Sequence, residues 1–291
     1  MMSRMIRATL LAAAALSAAS SPALAQLDPA APHTGGETAA WRVKREAELK
    51  ADQGWLAVSG LPWLKEGETR LGSGPDNEVR VADGPALYGV LVRTGNKVEL
   101  RPAEGSPRVL TPADPPFKAG RTFVQLIRRS DLIGLRLWDP GNARKLAFHG
   151  LEWYEVKPQY RVRGRLIPGE PGKTVRVANV IGQVNDYPSP GVVRFELEGR
   201  ALELTPVYET SAKSELFYIF KDGTAGKTTY AAGRFTYSEL PDKDGNVTLD
   251  FNRAYSPPCA FTDFATCPLP PPQNRLDLAI EAGEKDPHRA H

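Results

Sequence analysis

Short runs of β-branched and aromatic residues dominate the chain from about residue 54 to residue 240, separated by glycine, proline, asparagine and aspartate. Runs of this length, with turn residues between them, are typical of β-strands. About ten strands at this spacing indicate an all-β protein of sandwich or barrel type. The predicted strands cover residues 79–81, 87–92, 97–101, 122–127, 134–138, 160–166, 173–181, 191–197, 216–220 and 233–237.

One stretch before these strands has the composition of a helix. Residues 37–52 contain good helix formers and neither glycine nor proline, and the basic residues Lys44, Arg45 and Lys50 follow an acidic start. Charges in this order favour a helix, which we expect to stop at Gly54. Residues 26–36 contain two prolines and two glycines and are predicted to be a flexible arm.

The first 25 residues have the pattern of a secretory signal peptide. Arg4 and Arg7 precede an apolar run over residues 8–19, and Ala23-Leu24-Ala25 offers a small-residue cleavage site. The apolar run is too short to span a bilayer. We therefore expect cleavage after Ala25 and a periplasmic or extracellular location, with an N-terminal membrane anchor as the alternative.

Proline-rich segments predict the domain boundaries. Residues 111–116, Thr-Pro-Ala-Asp-Pro-Pro, are predicted to link a first β unit, residues 54–115, to a second unit, residues 116–291. Prolines cluster again between residues 257 and 272. Because proline is excluded from helix interiors and central strands, we expect an ordered coil there that wraps over the second unit.

Composition and charge narrow the classes of partner. The chain has 26 glycines and 26 prolines in 291 residues, which indicates many turns. Its formal net charge is +3, and cleavage after Ala25 would remove two arginines and no acid. A charge this close to zero gives no support for binding nucleic acid or an anionic membrane surface. No later stretch is long and apolar enough to span a membrane.

Four segments carry a family resemblance. Residues 250–285, DFNRAYSPPCAFTDFATCPLPPPQNRLDLAIEAGEK, strongly resemble the C-terminal signature of the bacterial and archaeal family named domain of unknown function 1684. The resemblance extends to residues 54–73, 150–156 and 220–235. Ser256 stands where the family usually has asparagine before Pro-Pro. The resemblance implies a β-rich module without an established activity.

A second resemblance concerns the first β unit. In residues 72–81, a glycine is followed by an asparagine and then by a predicted strand, and this pattern is similar to the core of the β-sandwich of forkhead-associated domains. Those domains bind phosphothreonine with an arginine directly after the first glycine, and Ser73 occupies that position here. Because the guanidinium is missing, the resemblance implies a structural sandwich and no phosphopeptide site.

Gly226-Lys227-Thr228 matches the last three residues of a phosphate-binding loop. Such a loop begins with glycine five residues before the final glycine, where this chain has Lys221, and a helix should follow it. The sequence after Thr228 resembles a strand instead. We therefore predict a hairpin turn.

Cys259 and Cys267 are the two cysteines of the chain. In an oxidising compartment we expect a disulfide between them. Zinc would need two more ligands, and His149 is the only histidine outside the two tails, so no metal is expected. A nucleophilic Cys259 with His149 as its base is the alternative.

Paired-carboxylate hydrolysis is a second catalytic hypothesis. Asp222 and Asp250 both lie beside aromatic residues, which would raise a carboxyl pKa on burial. Turn and strand-end hydrogen bonds to backbone amides explain both residues as well, and we prefer that interpretation.

The leading interpretation is a non-enzymatic envelope module that binds a small molecule or a protein partner, with no cofactor. A hydrolase is the second interpretation and a purely structural interaction protein the third. Asn252 and Asn274 are expected to satisfy the buried backbone of the coil. The residues predicted to face a ligand combine an anion-binding group with polar and aromatic side chains, and they are Arg234, Tyr230, Asp250, Thr224 and Tyr255.

Overall fold

The computed structural model describes residues 35–288. Helix α1 (Gly35–Lys50) confirms the helix predicted over residues 37–52, and one further turn of helix, α2 (Ala143–Leu146), follows later in the chain. Glu37 in the first turn of α1 and Lys50 in its last complement the helix dipole. The predicted signal peptide, residues 1–25, lies outside the described residues.

Seventeen strands follow α1 in the described part of the chain. They are β1 (Val58–Gly60), β2 (Gly67–Gly72), β3 (Val79–Arg80), β4 (Gly89–Thr94), β5 (Lys97–Pro102), β6 (Arg108–Leu110), β7 (Phe117–Ala119), β8 (Thr122–Arg129), β9 (Leu132–Trp138), β10 (Arg161–Pro168), β11 (Thr174–Ala178), β12 (Val184–Pro188), β13 (Gly191–Leu197), β14 (Arg200–Leu204), β15 (Glu215–Phe220), β16 (Arg234–Glu239) and β17 (Asn246–Asp250).

All ten predicted strands are confirmed, and the all-β class with them. The sequence pattern missed seven strands, and all of these except β2 lie at the edge of a sheet. Edge strands are short and carry more polar residues, so their hydrophobic alternation is weak.

The first unit is a sandwich of two sheets. One sheet has the order β3-β2-β4-β5-β6 and the other the order β1-β9-β8-β7. Side chains from both sheets, such as Leu91 and Leu100 of the first and Val124 and Leu135 of the second, form one buried core. Burial of each side chain of this size contributes roughly 1.5–3 kcal/mol.

This sandwich continues past the proline-rich segment. Residues 111–116, predicted to link the two units, connect β6 to β7 within it. Val58 of β1 pairs with Trp138 of β9, so the sandwich closes only at the end of β9. Ser73 and Asn77 donate hydrogen bonds to the carbonyl oxygens of Gly84 (2.6 Å) and Ala86 (2.7 Å), so both stabilise a loop of the first sheet.

The second unit consists of a larger sheet and two hairpins. The sheet has the order β14-β13-β10-β17, and β11-β12 and β15-β16 are separate antiparallel hairpins. Strand β15 is buried on both faces, with Tyr218 and Phe220 in one apolar core and Phe217 and Ile219 in another. The sheets do not close into a barrel.

The proline-rich C-terminal segment has no regular strand or α-helix between residue 251 and residue 288. It contains three 3-10 turns, and side chains satisfy much of its backbone and that of its neighbours. Asn252 exchanges hydrogen bonds with the backbone N–H and carbonyl of Lys157, both at 3.0 Å. Asn274 does the same with Thr205, at 2.7 and 2.9 Å, and also donates to the carbonyl of Ile219. Both asparagines are buried, as expected for a structural role.

Helix α1 packs against this coil, since Leu49 belongs to a buried cluster with Ala260 and Phe261. Within residues 35–288, no helix has the length and apolar character that crossing a membrane requires.

Candidate functional site

A cleft with a volume of about 370 Å³ lies where the first sandwich, the second unit and the C-terminal coil meet. Its walls are Trp55 with the β8–β9 hairpin, the β11–β12 hairpin, and the coil around Cys267. This volume falls within the range of small-molecule sites, which often lie between domains. The cleft is therefore a candidate for a binding site.

Arg136 lies in this cleft because of its position on β9. Leu135 and Leu137 point into the core of the first sandwich, so Arg136, between them, points to the opposite face. Its guanidinium carbon is 4.7 Å from the ring centre of Trp55 and 5.8 Å from that of Trp138. Burial lowers the pKa of Arg136 to about 10, with a further decrease from the charge of Arg129, so the group stays charged at pH 7.

The charge of Arg136 has no counter-ion within the part of the chain that the structure describes. Its Nε is buried and has no hydrogen-bond partner there. Aromatic faces attract a cation weakly compared with a carboxylate, so Trp55 and Trp138 compensate its lost hydration only in part.

Arg128 and Arg129 bring two further positive charges to the same wall. Arg129 donates from Nε to the Thr266 hydroxyl (3.1 Å) and from Nη1 to the carbonyl of Arg128 (2.8 Å). Arg128 donates to the carbonyl of Asn96 (3.2 Å). These acceptors are neutral, so they position the guanidinium groups without cancelling their charge.

The opposite wall carries Tyr187 and Glu209. Burial raises the pKa of the Tyr187 hydroxyl, and the nearby Glu209 carboxylate raises it further. Glu209 itself accepts a hydrogen bond from the Tyr237 hydroxyl at 2.5 Å. Among residues 35–288, the cleft is lined by one acidic residue, Glu209, and by three arginines. The cleft is thus net positive and suits an anion.

Two hydrogen bonds join the hairpins across the cleft. Gln183 donates from Nε2 to the carbonyl of Arg129, and Ser130 donates from Oγ to Oδ1 of Asn185, both at 3.2 Å. These contacts fix the distance between the walls of the first and second units.

Cys267 lines the cleft on the side of the coil, and Cys259 lies next to it. The backbone N–H of Cys259 donates to Sγ of Cys267 over 3.1 Å. Both are free thiols, so the predicted disulfide is not formed in this structure. Among residues 35–288, no group of three or more histidine, cysteine or acidic side chains is arranged to hold a metal ion.

Three residues predicted to act in binding or catalysis lie together in a buried network that does not line the cleft. Arg234, with 1% of its surface exposed, is 3.3 Å from Oδ1 of Asp222 and donates to the carbonyls of Ile280 and Ala282. Asp222 also accepts from the N–H of Ile280 (2.7 Å) and the hydroxyl of Thr224 (2.9 Å). This placement favours a structural role, in which the network fixes the end of the coil on the β15–β16 hairpin.

The other predicted residues make different contacts. Asp250 is buried at the end of β17 and accepts from the N–H of Asn252 (3.0 Å), which caps a 3-10 turn. Tyr255 packs under the guanidinium of Arg45, 4.6 Å from the ring centre.

Tyr230 donates to the carbonyl of Cys259 at 3.2 Å. His149 is exposed, and within residues 35–288 no hydrogen bond or ion pair links it to Cys259. The structure therefore joins Asp222, Thr224 and Arg234 in one buried hydrogen-bonded network.

The Gly-Lys-Thr segment is a compact turn between β15 and β16, as predicted. The backbone N–H groups of Lys227 and Thr228 donate to the carbonyl of Thr224, and that of Gly226 donates to Thr229. A phosphate-binding loop needs such groups to point at its ligand. Here internal hydrogen bonds occupy them.

Sequence reasoning missed the arginines of the cleft. One signal was present: in Leu132–Trp138, LIGLRLW, a single arginine interrupts an apolar strand. A charge at such a position needs either a partner or a site. The adjacent Arg128 and Arg129 before a turn strengthen that signal, but only the fold brings them to Tyr187 and Glu209.

Fold and cleft together define an all-β protein of two packed units with a basic cleft between them. Residues 146–285 match the family model described as "Protein of unknown function (DUF1684)". Residues 146–285 therefore belong to this family, as the C-terminal signature indicates. Arg128, Arg129 and Arg136 precede the matched residues, whereas Tyr187, Glu209 and Cys267 lie within them.

One similar solved structure is the solution NMR structure of the uncharacterized protein from gene locus rrnAC0354 of Haloarcula marismortui. The two sequences are 32% identical over 51% of this chain and 82% of that one, with a TM-score of 0.42. No curated protein matches the chain.

Proposed function

We propose that this protein is a binding module that holds a small anionic molecule in the basic cleft. The observation that carries the proposal is the position of Arg136, a charged and largely buried guanidinium without a counter-ion among the described residues. A buried cation in this state costs free energy that an anionic ligand would recover.

The geometry of Arg136 suits a carboxylate or a phosphate. Because Trp55 lies over the guanidinium at 4.7 Å, its plane is fixed, and its N–H groups remain available in a fork that matches two oxygen atoms. Arg129 adds a second charge close enough to lower the pKa of Arg136. Two adjacent guanidinium groups favour a ligand with more than one negative charge.

The remaining lining supports a ligand with an organic body. Trp55, Tyr187 and Phe235 offer aromatic surface, while Asn179 and Asn185 offer amide groups. A cleft of about 370 Å³ accommodates a small metabolite and excludes a macromolecule except through a protruding group.

We test this proposal by thermal shift and calorimetry of the full chain with inorganic phosphate, succinate and benzoate. Binding to the folded state raises the melting temperature with ligand concentration. We expect Arg136→Met to weaken binding about 10- to 100-fold, because a charged hydrogen bond contributes roughly 1.5–3 kcal/mol. Arg165→Met removes an equal charge from an exposed position on β10 and should leave binding unchanged.

The stability of the ligand-free variants separates binding from a purely structural role. If Arg136 serves a ligand, Arg136→Met should leave the unliganded protein equally stable or about 1 kcal/mol more stable. A large loss of stability, without any response to anions in the parent chain, would show that Arg136 is structural.

We further propose that the module works outside the cytoplasm, on the basis of the signal-peptide pattern in residues 1–25. Fractionation of cells that express the full chain should place it in the periplasm, with Gln26 at its N-terminus. Replacing Leu10 and Leu11 with lysine should retain the uncleaved chain in the cytoplasm. Cytoplasmic accumulation of the parent chain would contradict export.

A further inference from the structure

The two thiols of Cys259 and Cys267 are neighbours at the edge of the cleft. They bracket a short loop of the C-terminal coil, and the backbone N–H of Cys259 donates to Sγ of Cys267 at 3.1 Å. Both are free, with Cys267 4% exposed and Cys259 more open to solvent. The two thiol groups also share a hydrogen bond, so their sulfurs are positioned to form a bond to each other.

The loop between them keeps its shape without a disulfide. The N–H groups of Ala260, Phe261 and Thr262 donate back to the carbonyls of Pro257 and Pro258. After the loop, the coil is tied to the β11–β12 hairpin, because Val180 donates to the carbonyl of Cys267 at 3.1 Å. The fold itself therefore holds the two sulfurs together, and their bridge is not needed to close the loop.

The two cysteines differ in reactivity. A hydrogen bond from the Cys267 thiol lowers the pKa of Cys259 to about 7, and the Tyr230 hydroxyl contributes in the same direction against the effect of burial. Donation of that hydrogen bond, together with burial, raises the pKa of Cys267. In thiol–disulfide exchange, a partly exposed thiolate attacks the incoming disulfide, and a buried neighbouring thiol resolves the mixed disulfide that forms.

We propose that Cys259 and Cys267 form a reversible redox pair that exchanges with low-molecular-weight disulfides. In the first step the Cys259 thiolate attacks one sulfur of the small disulfide, a mixed disulfide forms on Cys259, and one small thiolate leaves. This leaving thiolate takes the proton of the Cys267 thiol.

In the second step, Cys267 attacks Sγ of Cys259 and the second small thiolate leaves and is protonated from solvent. The protein dithiol is oxidised by two electrons and the small disulfide is reduced to two thiols. A small dithiol or an excess of thiol reverses both steps.

The test equilibrates the native full chain with mixtures of reduced and oxidised glutathione, stops exchange with acid, alkylates the free thiols and measures intact mass. We expect a reversible change between a doubly alkylated and an unalkylated form, at the same midpoint from either direction. If no disulfide forms, or if it is reduced only after unfolding, the proposal is wrong.

Two single variants assign the roles, provided that their melting curves show a folded state. Cys267→Ser should trap glutathione on Cys259, because no resolving thiol remains. Cys259→Ser should react with oxidised glutathione on the order of tenfold more slowly at pH 7. Equal rates in the two variants would overturn the assignment of Cys259 as the attacking residue. None of these measurements depends on a ligand in the cleft, so their outcome is independent of the proposed binding function.

Discussion

Arg45 of helix α1 forms an ion pair with Glu284 of the C-terminal coil inside the protein, with Nε 3.4 Å from Oε2. The side chain of Glu284 is completely buried, and that of Arg45 is 10% exposed. Arg45 also donates to the carbonyl of Ser256 at 2.9 Å. This ion pair and this hydrogen bond thus connect helix α1 to the C-terminal segment that carries the family signature.

Removing the arginine alone should be costly. Arg45→Met leaves the Glu284 carboxylate buried without its cation, and we expect a loss of about 3–5 kcal/mol in the free energy of unfolding. Lys44→Met is the matched control, because the ion pair of Lys44 with Glu48 on the same helix is exposed. Urea unfolding of both variants measures the difference, and a loss below about 1 kcal/mol in Arg45→Met would show that the pair is dispensable.

Glu284 should make stability depend on pH. Burial raises its pKa in the folded state above the ordinary value, in spite of Arg45. The folded state therefore binds this proton more tightly than the unfolded state, so the contribution is fully present below about pH 4.3 and is lost as pH rises through the folded-state pKa. We expect Glu284→Gln to gain stability relative to the parent chain as pH increases from 4 to 8. Melting temperatures across this range test it, and a constant difference between the two proteins would contradict the raised pKa.

The buried pair of Asp222 and Arg234 leads to a different expectation. Arg234→Met should destabilise the protein by about 3–5 kcal/mol, because Asp222 loses its cation and two carbonyls lose a donor. Anion binding should not change in the fraction that stays folded at low temperature, since Arg234 does not line the cleft. Thr224→Val, which removes one hydroxyl from the same network, is a milder variant that should cost about 1–2 kcal/mol. Loss of anion affinity in folded Thr224→Val would reinstate this network as a ligand site.

Sequence patterns located the strands that are apolar on both faces and the strands in which buried and exposed residues alternate clearly. Strand β13, for example, alternates buried and exposed residues from Val193 to Leu197. They did not reveal that β9 returns to pair with β1, because that pairing is non-local and depends on how the sheets stack. Local sequence was also insufficient at residues 111–116, where we predicted a link between units. A proline-rich turn can join strands within a unit as well as between units.

The site was harder to predict for a related reason. Arg234 and Arg136 both lie on strands, one or two positions before an aromatic residue (Phe235 and Trp138), and local sequence does not distinguish them. In the fold, Arg234 contacts Asp222 and two carbonyls, whereas Arg136 packs against the rings of Trp55 and Trp138. The partners that decide between structural and binding roles are remote in sequence.

Glu209 should oppose anion binding, because it is the acidic residue among those that line the cleft. Glu209→Gln keeps an acceptor for the Tyr237 hydroxyl and removes the negative charge. We expect anion affinity to rise about three- to tenfold at low ionic strength, and the gain to shrink in 0.5 M salt as charges are screened. Glu196→Gln, on the exposed face of β13, is the control and should have no effect. Calorimetry measures the affinity of each variant for the anion that the parent chain binds most tightly. An unchanged affinity in Glu209→Gln would place the anion elsewhere.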